Sequence, residues 1–352
     1  MPNATRLGLL AAGCFVIALA PCRIGSARDF TYAGRGGGLQ EAQRVAFLRV
    51  YAKAAKESFM EDVYSGGMGK FLAMKSTGDV SWDVVNVESD VLQTGCEEGM
   101  FLKIDYARLG VPRDRFVKGA AAECGVGSYV YAFVVAYDGS IISDGPRTLA
   151  DFWNTDKWPG RRGLPKGPLF NLEFALLADG VPSPDVYKTL ATDAGIARAF
   201  AKLDKIKRQV VWWEAPAQTP GLLDAGTVSM IFAPSARIAV AVKAGKNFKL
   251  VFGSGMVGID YWAIINGSPR AEAAYEFLRI ATDPAAQASF SNIFPDAPTI
   301  KAADALVSRE ARPMLPDGEA TGALNLSAPE AAAFWVDQAD RLNEQWNAWL
   351  AR

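Results

Sequence analysis

The chain contains no histidine. That removes Ser–His and Cys–His nucleophile activation, imidazole metal ligands and imidazole proton shuttles. Charge of one sign is also missing: 37 basic residues face 38 acidic ones, for a net charge of −1. No general surface for nucleic acid or anionic membrane is therefore expected. Cysteine is scarce, with four scattered residues, Cys14, Cys22, Cys96 and Cys124, which excludes a compact all-thiolate zinc site. No stretch approaches the roughly 20 apolar residues that a membrane-spanning helix requires. Neither an internal repeat nor a low-complexity segment is present. These absences leave no cofactor and no metal to expect.

What is present is apolar bulk. Half of the 352 residues are hydrophobic, enough for two compact lobes rather than one. Residues 1–27 read as an export signal: Arg6 supplies the charge, Leu7 to Ala20 the apolar core, and Gly25-Ser26-Ala27 the cleavage site. The expected location is the periplasm. Cys14 follows Ala11-Ala12-Gly13, a faint likeness to a lipoprotein box, but the preceding apolar run is short; Pro21 argues against cleavage at Cys22. Cys96 and Cys124 remain. In an exported chain they are expected to pair, contributing roughly 3–4 kcal/mol by loop closure; the alternative is two buried thiols.

Strand-like and helix-like segments alternate, implying a mainly parallel sheet. A short strand at 28–33 enters Gly34-Arg35-Gly36-Gly37-Gly38, followed by a helix over 39–58. The glycine spacing does not match a phosphate loop; it suits backbone amides approaching a ligand at a helix start. Arg35 at the loop tip reads as a ligand contact or as a solvated charge. The buried strand Trp82 to Val87 ends at Glu88-Ser89-Asp90, where ligands collect in open parallel sheets. Glu88 or Ser89 could contact a ligand, or Ser89 or Asp90 could cap the next helix. Gly95 to Asp105 reads as a turn around Cys96. Gly125 to Tyr137 reads as a crossover between lobes, with Ile259 to Ile265 as the return. The expected division is 28–135 plus 263–352 for one lobe and 136–262 for the other.

The stretch Ser229 to Trp262 carries two oddly placed charges. Arg237 falls in the first turn of a helix over 235–244, where the helix dipole disfavours a cation. Asp260 lies between Ile259 and Tyr261-Trp262, a costly place for a carboxylate without a partner. The two either satisfy each other and nearby backbone, or they face a ligand. Trp212 and Trp213 point to opposite faces of a strand that ends at Glu214.

Taken together, WDVVNVE (82–88), ECGVGSYVYAFVVAYD (123–138), DFWNTDKWPGRRGLPKGPLFNLEFALLADGV (151–181), LLDAGTVSMIFAPSARIAVA (222–241), IDYWAIINGSP (259–269) and IFPDAPT (293–299) resemble the solute-binding proteins of bacterial ABC importers, in the polyamine-binding branch. The resemblance covers essentially the whole mature chain. It implies an α/β, two-lobe periplasmic-binding-protein fold (type II) with two crossover strands as hinge. It also implies a small-molecule ligand between the lobes, a membrane permease as partner, no nucleic acid, a monomer, and no enzymatic activity. It assigns Asp260 to an amino group, and Phe232 and Phe294 to apolar walls. Two features depart from the polyamine pattern: no acidic pair is evident around Phe170 to Leu172, and Arg35 replaces a common aromatic. Arg237 would repel a diamine and clamp a carboxylate instead; a γ-aminobutyrate-binding relative of the branch has an arginine and an aspartate at what look like these two positions. The expected ligand is a zwitterionic ω-amino acid, with Tyr131, Phe232, Tyr261 and Trp262 as walls. One rival is a di- or polyamine shared by Glu88, Glu214 and Asp260. A remote one is a hydrolase using two of those carboxylates. Iron carriage is disfavoured, because no adjacent tyrosines are present.

Overall fold

The computed structural model describes residues 28–316 and 322–352, together with Met1. The signal-segment reading, including Cys14 and Cys22, lies outside the described residues. Runs rich in valine, isoleucine and aromatics form one mixed sheet of nine strands among the described residues. These are β1 (Phe30–Gly34), β2 (Phe59–Val63), β3 (Val84–Val87), β4 (Val126–Asp138), β5 (Arg162–Pro165), β6 (Val210–Trp213), β7 (Met230–Pro234), β8 (Phe248–Ile264) and β9 (Leu324–Asn325). Their order is β2-β1-β3-β8-β4-β7-β5-β6, with β9 paired to β8. β1 runs parallel to β2 and β3, and β5 parallel to β6 and β7. β4 and β8 run antiparallel through the middle.

Sequence patterning suggests two strands within 248–265; the structure has one long strand, β8, carrying an irregularity. Val135 of β4 pairs with Val251, but Phe133 pairs with Met256, so β8 bulges over 252–255. Gly255 is required there, since an added Cβ would lie 2.8 Å from the Phe252 carbonyl oxygen and 3.0 Å from that of Phe133. The core divides at this bulge. One buried cluster holds Phe30, Tyr32, Phe47, Tyr51, Trp262 and Phe277; the other holds Phe133, Phe152, Phe174, Trp213 and Phe232.

The C-terminal helix, Pro329–Leu350, is a correction. Chain order groups it with the first lobe, but its apolar face (Phe334, Trp335, Leu342, Trp346 and Trp349) belongs to the second cluster. Trp346 and Trp349 pack on Trp212 and Phe200, which a 3.6-residue apolar stripe can do only as one face. The chain therefore crosses between clusters a third time, after Ala311 and before Leu324. This last crossing is fastened to β8: the Ser327 hydroxyl accepts from the Ile259 amide at 2.7 Å and donates to the Ile259 carbonyl at 3.3 Å.

After β1 the chain is helical from Gly37 to Ala55, with a π-helical turn at Arg44–Leu48. It stops at Lys56, which adopts a left-handed conformation, φ 55°. Cys96 is not in a turn but near the end of the helix Ser89–Glu97, and it is bonded to Cys124 with the Cα atoms 5.6 Å apart. The bond closes a loop of 28 residues. Replacing both cysteines by serine is expected to cost about 3–4 kcal/mol, read from urea unfolding midpoints; an unchanged midpoint would remove this stabilising role.

Candidate functional site between the lobes

The strand register aims both halves of the sheet at one gap. β7 begins opposite Tyr137 and ends at Pro234 opposite Phe133, beside the bulge; β5 and β6 share its direction. From the other side β3 begins opposite Ile264 and ends at Val87 opposite Tyr261, with β1 parallel to it. The carboxyl ends of both parallel sets thus meet near the bulge, the usual location of ligands in open α/β sheets.

From the first lobe come Arg35, after β1, and Glu88, after β3. Arg35 is not a solvated charge. Its guanidinium forms a two-nitrogen ion pair with the Glu88 carboxylate and lies 5.3 Å from the Tyr64 ring centre. Ser89 and Asp90 do not cap the following helix; Glu88 occupies the cap position without a side-chain cap bond. The Ser89 hydroxyl donates to the Leu326 carbonyl at 3.4 Å, which ties the first lobe to the third crossing.

From the second lobe comes Arg237, in the first turn of the helix Ser235–Lys243 that follows β7. Its guanidinium is half-buried, 5.1 Å above the Phe294 ring, and Nη1 is 3.6 Å from where a Cβ on Gly37 would sit. It therefore reaches across to the helix start in the first lobe. Burial pulls its pKa below the ordinary range, opposed by Tyr129 and Asp296. Among the described residues no carboxylate comes within ion-pairing distance, unlike the charge pairs at Arg35 and Arg44.

Asp260 lies on β8 opposite Tyr129, buried, with Oδ2 in hydrogen-bond contact at 2.5 Å with the Tyr129 hydroxyl. Burial, then the Glu88 charge, pushes its carboxyl up to about 7, while Arg35 and the Tyr129 hydrogen bond pull it down. Asp296, in the loop after Phe294, is also buried. Its carboxyl is raised well above the usual range, by burial first and then by Asp260, and Arg237 opposes this. Asp296 thus senses both Asp260 and Arg237. Tyr131, two residues along β4 from Tyr129, shares its face. Its ring covers Gly258, where a Cβ would lie 2.4 Å from Cζ, and its hydroxyl pKa is raised by burial and by Asp260 and Glu88.

Four expected contacts are placed elsewhere. Phe232 is fully buried and stacks on Phe174 at 3.9 Å, because it lies on the face of β7 turned to the second core. Tyr261 is one residue from Asp260 and so faces the opposite side of the sheet, where its hydroxyl donates to the Gly119 carbonyl. Trp262 is sealed among Phe47 and Phe277 in the first core. Glu214 is exposed and pairs with Lys166 at 2.7 Å. An acidic residue does stand early in the helix after Phe170: Glu173. It is buried, accepting from Trp335 Nε1 at 2.7 Å and the Tyr187 hydroxyl at 3.2 Å.

Sequence reading passed over three residues. Asp296 met the test applied to Asp260, a carboxylate in an apolar, proline-flanked segment. Tyr129 follows from Tyr131 by the two-residue period of a strand. Phe170 takes a positive φ of 70°, unusual for a non-glycine residue; its ring stacks on Phe133 at 4.2 Å, beside the ends of β5 and β7. No sequence signal marks that backbone conformation.

Comparison with known proteins agrees with this architecture. Residues 60–317 match the family model described as bacterial extracellular solute-binding protein. A γ-aminobutyric acid-binding protein of Pseudomonas aeruginosa is 41% identical over 340 residues, covering 96% of this chain and 95% of that protein. Two solved structures superpose with TM-scores of 0.81. A GABA receptor is 27% identical, with 92% of this chain and 98% of the other covered. An ABC transporter substrate-binding protein from Bradyrhizobium japonicum is 28% identical, with 91% and 99% covered. The two-lobe arrangement of these proteins is the one described above, and the chain belongs to the family of bacterial extracellular solute-binding proteins.

Proposed function

We propose that the protein captures a short zwitterionic ω-amino acid, γ-aminobutyrate or a close analogue, in the interlobe gap and delivers it to the membrane permease of an ABC importer. The observation that carries this reading is the half-buried Arg237 guanidinium with no acidic partner among the described residues, facing the gap that also holds Asp260. A buried cation without a counter-ion is costly, and a ligand carboxylate supplies one in bidentate geometry. The ligand ammonium goes to Asp260, with Tyr131 and Phe294 as walls. Glu88 and Arg35 neutralise each other and shape the amine end. The P. aeruginosa relative, by its name a γ-aminobutyrate binder, supports the same choice. The reading is one of capture, and no residue is given a catalytic role.

A second reading rests on Asp296. A second buried carboxyl, without a side-chain hydrogen bond among the described residues, could receive a second ammonium, as in putrescine. Isothermal titration of the wild-type protein with γ-aminobutyrate and putrescine separates the two. The guanidinium–carboxylate pair, at about 1.5–3 kcal/mol per charged hydrogen bond, is expected to favour γ-aminobutyrate by at least about tenfold. Tighter binding of putrescine would replace the first reading by the second.

A further inference from the structure

Behind Asp260 lies a chain of buried side chains whose donor direction is fixed from one end. The Trp262 indole N–H can only donate, and it reaches the Tyr32 hydroxyl at 3.4 Å. Tyr32 therefore donates onward to Gln43 Oε1 at 2.8 Å. That orients the Gln43 amide nitrogen toward Asn86 Oδ1 at 3.3 Å, while the Asn86 amide nitrogen donates to the Tyr261 carbonyl at 3.2 Å. Asn86 thus presents an oxygen, not a nitrogen, to Tyr129. The Tyr129 hydroxyl is 3.2 Å from that oxygen and 2.5 Å from Asp260 Oδ2. One proton faces two acceptors.

We propose that Tyr129 is a positioning residue that alternates its single proton between Asn86 and Asp260, and that arrival of a ligand ammonium expels one proton from Asp260. This rests on the assignment of the ammonium to Asp260 made above. In the empty protein the protonated Asp260 carboxyl donates to the Tyr129 oxygen, and Tyr129 donates to Asn86 Oδ1. When the ammonium docks, the Asp260 proton leaves to solvent, Tyr129 turns its hydrogen to the new carboxylate, and Asn86 Oδ1 keeps its bond from Gln43. One positive charge enters as one leaves, so the buried charge of the amine end is conserved.

The surroundings suit such an exchange. Burial first, then Glu88 and Asp90 at the start of one helix, favour the protonated form of Asp260, and Arg35 and the Tyr129 hydrogen bond oppose them. Asp296 in the opposite loop is itself raised well above the usual range by burial and by Asp260. Tyr32, Tyr64 and Tyr131 also feel the Asp260 charge, as does Tyr261 from the opposite side of the sheet, and burial keeps all four neutral. With the Asp260 carboxyl pushed up to about 7, the sign is clear: affinity is weak below neutrality and rises to a plateau above it. One linked proton makes binding about thirtyfold tighter at pH 8 than at pH 5.5.

Carbon-13 NMR of the aspartate carboxyl carbons tests this, with the Asp260 signal assigned by its loss in Asp260→Asn. In the ligand-free protein that signal is expected to titrate between about pH 6 and 8, and in Tyr129→Phe the midpoint moves higher, since the carboxylate loses its donor. Saturating γ-aminobutyrate should hold the signal ionised across that range, with proton release visible as a buffer-dependent binding enthalpy. An Asp260 carboxyl already ionised at pH 5.5 in the ligand-free protein overturns the relay. So does a Tyr129→Phe midpoint that stays put, or γ-aminobutyrate binding without proton release. Should Tyr129→Phe fail to fold, the wild-type titration alone decides. If γ-aminobutyrate does not bind, the ligand reading falls while the ligand-free titration still decides the relay.

Discussion

Arg237→Ala is expected to weaken γ-aminobutyrate binding by two to three orders of magnitude, about 3–4 kcal/mol, as two charged hydrogen bonds are lost together. The size of the effect follows from where the guanidinium stands. It is half-buried against Phe294 and held across the gap from Gly37, and Arg35, the other guanidinium at the gap, is already paired with Glu88 and does not take over a stranded ligand carboxylate. Arg237→Lys should recover only part of the loss, because an ammonium cannot make the paired contact. The diagnostic outcome is a reversal of sign: with the repelling cation removed, putrescine binding should strengthen while γ-aminobutyrate binding collapses. Titration calorimetry on the three proteins, with unfolding midpoints as a control, reads all of this. Unchanged γ-aminobutyrate affinity in Arg237→Ala would remove the clamp from the account.

The largest expected effect on stability is remote from the gap. Arg162→Leu should cost about 4 kcal/mol or more, because each buried acceptor left unpaired costs about 1–3 kcal/mol. Arg162 opens β5 and is fully buried, yet among the described residues it forms no ion pair with a carboxylate. Its nitrogens donate instead to the carbonyls of Phe152, Gly160, Trp158 and Asn154 and to the Ser229 hydroxyl, at 2.7, 2.9, 2.6, 3.4 and 2.8 Å. One guanidinium thereby satisfies the irregular segment between Phe152 and Gly160 that would otherwise bury unpaired oxygens. Burial pushes its pKa down to about 10. Urea unfolding of the variant checks the size; a loss below about 1 kcal/mol would mean that water replaces the side chain without penalty.

The alternation of strands and helices, the paired cysteines and the two misplaced charges were legible because each follows from a local rule. Arg237 violates the helix dipole and Asp260 violates an apolar run; both were visible without coordinates. What could not be read was which face of a strand each aromatic takes. Phe232 and Tyr261 sit within a few residues of the gap, but side-chain direction in β7 and β8 is set by register, which depends on pairing partners far away in sequence. The bulge at 252–255 hid the continuity of β8 for the same reason. Arg35 and Glu88 were each noticed, but their pairing spans 53 positions of chain and no local pattern encodes it. The C-terminal helix showed its apolar stripe plainly without showing which core would receive it.

That last placement has a practical consequence. The final residue of the chain, Arg352, extends from a helix anchored by Trp335, Trp346 and Trp349 in the same body that carries Arg237. A fluorophore attached there would travel with the guanidinium half of the molecule, and one at residue 28 with the Glu88 half. Residues 28 and 352 are therefore the natural pair of handles for recording how far the halves separate when the solute departs.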